Sequence, residues 1–179
     1  MTRRTATRLR LSALPSRAPT AFEIVPDAET TARLRDRLGL AGLRKVRLEG
    51  EIAPAGREDW HLSARLGATV VQPCSITLDP VTTRIEEEVT RRYLADWVEP
   101  DDPEAEMPED DDAEALPDSV DLMRVLEESL ALALPAFPRA EGAELGAIEA
   151  RPPGAAPIEE EEAEKPFASL MELKRKLDN

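Results

Sequence analysis

At 179 residues the chain suffices for one domain, and an apolar fraction of 41% with only 3% aromatic leaves its core to Leu, Val, Ile and Ala. The single cysteine, Cys74, excludes an intrachain disulfide and any multi-cysteine zinc site; the single histidine, His61, excludes HExxH metal motifs and most His-centred triads. A formal charge of −14 argues against a general nucleic-acid coat, but the charge is unevenly spread: residues 1–67 are net +5, while 100–118 carry −10 and 139–164 carry −6.

In chain order, residues 1–22 hold Arg3, Arg4, Arg8, Arg10 and Arg17 with no acid and read as a basic N-terminal arm. The longest uncharged apolar stretch, 130–137, is eight residues, far short of the roughly 20 that cross a bilayer, so a cytoplasmic protein with no membrane partner is expected. A single domain is expected over 23–138. Asp27 is placed to cap a helix bearing Leu34 and Leu38, which Gly39 would end. From Val46 the period becomes two: Val46, Leu48 and Ile52 alternate with charges, and Pro54-Ala55-Gly56 supplies a turn. The return strand puts Trp60, Leu62, Ala64 and Leu66 on one face and His61 on the wet one. Gly67 suggests a bulge before a third strand over 68–78, and Asp79-Pro80 turns the chain into a fourth that buries Ile85, Val89 and Tyr93.

Residues 99–117 combine four prolines with a dense acidic run and read as a disordered insert. Asp121 then caps a helix with Leu122, Leu126, Leu130 and Leu134 on one face, which Pro135 ends. Residues 139–164 read as an acidic, Pro-rich linker, and Pro166 can start a short amphipathic tail helix over 167–177. The expected fold is α+β: an antiparallel sheet of about four strands, an N-terminal helix, a Leu-rich helix packed on the sheet, and a C-terminal helical tail.

Eight glycines form neither GxxxxGK[ST] nor GxGxxG, so no nucleotide cradle is present. Cys74 shares the parity of Ile76 and Leu78 and reads as a buried, inert thiol, with a thiol nucleophile as the alternative. The paired carboxylates lie where no scaffold fixes their separation, which acid/base chemistry requires. No catalytic, cofactor or metal residue is therefore expected. Binding is the better use of these charges. Asp101, Asp102, Asp110, Asp111 and Asp112 would attract a basic protein, and Pro166, Phe167, Leu170 and Leu173 would form a docking peptide. The competing class is an RNA binder using the arginines between 3 and 17 and those between 44 and 47; a Cys74 thiol enzyme is the third.

Three ordered stretches carry a resemblance: 71–81 around Cys74, then Asp121-Leu122 leading to Pro135 and Pro138, then 165–174 around Pro166-Phe167. Together they resemble the YceD family of bacterial large ribosomal RNA subunit accumulation proteins. The resemblance implies a non-enzymatic role in large-subunit rRNA accumulation and assembly, and marks Cys74, Asp121, Leu122, Pro135 and Pro138 as family-motif positions. Many members of that family have a second cysteine three residues after the first, and a His and a further Cys beyond the Leu-Pro-x-x-Pro element. Here those places are Thr77 and Arg139, so no cysteine cluster can operate.

Overall fold

The alternation that begins near Val46 becomes three long antiparallel strands: β3 (Gly42–Ala55), β4 (Asp59–Pro73) and β5 (Pro80–Leu94). The computed structural model of the chain describes residues 6–97 and 112–144. Within these, β1 (Arg8–Arg10), a 3-10 turn (Leu11–Ala13) and β2 (Thr20–Ile24) precede α1 (Ala28–Arg37). After β5 come β6 (Ala113–Ala115), β7 (Ser119–Asp121) and α2 (Leu122–Ala133). The main sheet runs β2-β3-β4-β5-β6, antiparallel except for the parallel β5–β6 pair, and β1 pairs with β7 in a separate ribbon.

One face of the sheet is apolar. Leu48 and Ile52 of β3, Leu62 and Leu66 of β4 and Phe22 of β2 are essentially inaccessible. They form one core with Leu34 of α1 and Leu122, Leu126 and Leu130 of α2. Asp27 caps α1, its Oδ1 accepting from the Thr30 N–H at 2.8 Å, and Gly39 leaves the helix with φ +63°. Asp121 caps α2, accepting from the N–H groups of Met123 and Arg124 at 3.0 and 3.3 Å. Arg37 and Glu127 join the two helices at 2.9 Å. Gly50 is required by close approach: a Cβ there would lie 2.2 Å from the Ser63 carbonyl oxygen and 2.5 Å from Ala64 Cα.

Both helix caps and the inward sets of β3, β4 and β5 match the sequence expectations, but the strand arrangement does not. The second and third expected strands are one, because β4 runs through Gly67 without a break. The bulge sits across from it on β3, where pairing shifts from Arg44↔Thr69 to Arg47↔Gly67. Five strands, one of them parallel, replace the expected four antiparallel ones. The first helix is not N-terminal, since β1 and β2 are built from residues within or bordering the expected basic arm. These were hidden because β1 is three residues long and each of the two strands pairs with a partner remote in sequence. The expected disordered insert is also too long at its end, where Ala113–Ala115 adds β6 to the sheet. Residues 98–111 and 145–179 lie outside the described residues, and with them Asp101, Asp102, Asp110, Asp111, Pro166, Phe167, Leu170 and Leu173.

Candidate interaction site

Two places in the described structure gather side chains that packing does not consume. The first is the loop from β4 to β5. Cys74 is fully buried, and its Sγ accepts the backbone N–H groups of Ile76, Thr77 and Ala140, each at 3.4 Å. The loop is closed by Cys74 N–H donating to the Asp79 carbonyl at 2.7 Å and Leu78 N–H to the Cys74 carbonyl at 3.0 Å. The segment after α2 is fastened to the same place: Ser75 N–H donates to the Pro138 carbonyl at 2.8 Å, and the Gln72 amide to the Pro135 carbonyl at 3.2 Å. The fold therefore brings Cys74, Pro135 and Pro138 together, although about sixty residues separate them in sequence.

Donors focused on the sulfur favour its anion. Thr77, through its hydroxyl and then its N–H, followed by the N–H groups of Ala140 and Ile76, draws the Cys74 thiol down to about 6. Burial agrees with the sequence reading, and the donors that enclose the sulfur make it more acidic than a free thiol. Thr77 is the leading cause. Leu78 of the loop is 76% exposed at φ +65°, and Phe137 of the segment fastened to it is 78% exposed. Asp121 and Leu122 are spent on the fold, one as the α2 cap and the other in the core.

The second place is the sheet face turned away from the helices. Its register rows are Arg44-Thr69-Arg84, Arg47-Gly67-Glu86, Glu23-Glu49-Arg65-Glu88, Ala21-Glu51-Ser63-Thr90 and Ala53-His61-Arg92. His61 is on the polar face, as expected, at the opposite end of β4 from the Cys74 loop, so the fold makes no Cys–His pair. The face is polarised, with cations at its bulged end and carboxylates in the middle. Arg84 spans the bulged end, its guanidinium forked onto Glu86 at 2.6 and 3.0 Å and lying over Gly67, where no side chain competes for the space.

Asp112 differs from the other acidic candidates. It accepts from the Thr90 hydroxyl at 2.5 Å, pairs with Arg91 at 3.6 Å, and takes the Arg92 N–H on its carbonyl at 2.8 Å. These contacts anchor β6 to β5. Of the N-terminal arginines, Arg8 faces Asp121 at 3.7 Å, and Arg10 lines a groove with Trp60, Glu58 and Asp118. Among the described residues no three His, Cys, Asp or Glu side chains gather where a metal ion could be held, and no helix is long and apolar enough to cross a membrane.

The family model for the large ribosomal RNA subunit accumulation protein YceD matches residues 62–174. The chain belongs to the YceD family. The match begins inside β4 and takes in the Cys74 loop, β5 and α2, while β1, β2, α1 and β3 precede it. No curated protein and no solved structure gives a match. The YceD assignment ties the chain to accumulation of large-subunit ribosomal RNA, and both places described above contribute residues from the matched span.

Proposed function

We propose that this protein is a non-enzymatic, cytoplasmic biogenesis factor that promotes accumulation of large-subunit rRNA by binding a ribosomal protein, an assembly factor or the pre-ribosomal particle. The observation that carries the reading is the YceD match across residues 62–174. The geometry supports binding over turnover: the one thiol and the one imidazole lie at opposite ends of a fifteen-residue strand, while a charged sheet face and two exposed apolar residues, Leu78 and Phe137, stand ready for contacts. Partner capture is assigned to Asp101, Asp102, Asp110 and Asp111 toward a basic protein, and to Phe167, Leu170 and Leu173 as a docking peptide.

Depleting the protein should lower large-subunit rRNA and the large-subunit peak in a sedimentation profile while sparing the small subunit. Restoring the full chain should reverse this. A chain with those four aspartates changed to asparagine should bind basic ribosomal proteins more weakly and with a flatter salt dependence, and one with Phe167→Ala and Leu170→Ala should lose partner capture with its core intact. Unchanged rRNA levels after depletion would refute the function.

A further inference from the structure

The bulge in β3 changes what the open sheet face can bind. Pairing slips between Arg44 and Arg47, so Val46 turns into the core while Lys45 is extruded with φ +53°, and Arg44 and Arg47 both stay on the outer face. Two strands across from Arg44, in the same register row, stands Arg84; Arg65 lies one row beyond Gly67. Arg44, Lys45 and Arg65 make no ion pair among the described residues, whereas Arg47 meets Glu49 at 3.2 Å and Arg84 meets Glu86 at 2.6 Å. Glu86 is held below the usual carboxylate range, first by Arg84 and then by Arg65 and Arg47. Three of the cations thus bear on Glu86, and Arg44 and Lys45 are in excess of it.

We propose that this bulged corner, built on Arg44, Lys45, Arg47, Arg65 and Arg84, is a contact site for the phosphate backbone of rRNA. The proposal rests on the large-subunit role proposed above and names the partner for one surface. Phosphates fit better than an acidic protein segment for two reasons. The corner offers guanidinium forks over three register rows and three strands, suited to a polymer charged at every residue. It also offers no apolar pocket, since Gly67, Thr69 and Glu86 lie between the cations, and a protein partner would lack the desolvated anchor that specific interfaces use. Glu23, Glu49 and Glu88, which share a row with Arg65, set the boundary by repelling the strand beyond the corner. With no aromatic platform on this face, binding is sequence-tolerant and steep in salt. Arg44, Lys45 and Arg47 precede the span matched by the family model, so the corner combines family and non-family segments.

The test uses the full-length chain and a fluorescein-labelled large-subunit rRNA transcript, titrated at several salt concentrations with polyglutamate as competitor. The double variant Arg44→Gln, Lys45→Gly should lower the slope of log K against log salt by about 1.4, two contacts at roughly 0.7 each for single-stranded RNA. Glycine suits the φ at position 45, so this variant removes charge without straining the bulge. Arg65→Gln, a single change on an exposed site, should lower the slope by about 0.7. Glu86→Gln should tighten binding by releasing Arg84. Unchanged slopes in both charge-removing variants, or polyglutamate displacing RNA at equal charge concentration, would overturn the site and leave the biogenesis role standing. RNA binding through this corner together with normal large-subunit rRNA in depleted cells would refute the role and leave the site.

Discussion

The structure gives Asp121 a mechanical role as the cap of α2, and substitution separates that role from contact with a partner. Its carboxylate accepts two N–H groups at the start of α2 and faces Arg8 at 3.7 Å. Asp121→Ala removes both cap bonds and should cost about 1 to 2 kcal/mol. The ion pair adds little, since the Arg8 and Asp121 side chains are 70% and 39% exposed and such pairs contribute under about 1 kcal/mol. Asp121→Asn keeps a capping acceptor and should cost only about 0.5 kcal/mol, through the lost charge at the positive end of the helix dipole. In a domain of this size 1 kcal/mol moves Tm by about 4 °C, so thermal unfolding followed by circular dichroism should place Ala about 4 to 8 °C and Asn about 2 °C below the parent. Equal losses for Asn and Ala would refute the cap as the reason for this residue. So would an unchanged Tm in Ala combined with loss of rRNA accumulation, which would make Asp121 a partner contact.

Gly50→Ala should destabilise the sheet by more than about 2 kcal/mol or leave the protein insoluble, because the new methyl meets backbone atoms of Ser63 and Ala64 that cannot swing aside; urea unfolding reads this directly. Thiolate ultraviolet absorbance, which needs no access to the buried sulfur, should titrate Cys74 near pH 6 in the folded chain. Because this folded value is below that of an unfolded thiol, the thiolate's contribution to stability is complete above the unfolded pKa, shrinks as pH falls, and is gone below about 6. Cys74→Ser should remove that component of the pH–stability profile, and an identical profile would show that the sulfur is not ionised.

What was legible in the sequence was what local periodicity controls. Asp27 and Asp121 announced both helices, Gly39 and Gly56 announced turns that the fold makes at φ +63°, and the alternation through β5 named Ile85, Val89 and Tyr93 as its inward set. Features set by distant partners were not legible. Gly67 invited a bulge, but the extra residue is on the neighbouring strand, where Lys45 and Val46 carry no sequence mark of it. β1 and β6 are three residues each and exist only through pairing with Asp121 and Arg92 and their neighbours. For the Cys74 loop the alternation of Cys74, Ile76 and Leu78 was misleading. It suggested a strand, and the cage of N–H donors that sets the sulfur's acidity forms only because residues 135–140 fold back onto it.

The parallel pairing of β6 with β5 has a consequence for how this protein can vary. β5 ends at Leu94 and β6 begins beside Arg92, so the two flanks of the connection between them lie on neighbouring strands of one sheet. Doubling such a connection adds only about 0.6 kcal/mol of closure entropy. Its length and acidity are thereby decoupled from the stability of the scaffold. Charge can be added, removed or exchanged there while the helices and the bulged corner remain where they are, which makes the segment a tunable cassette.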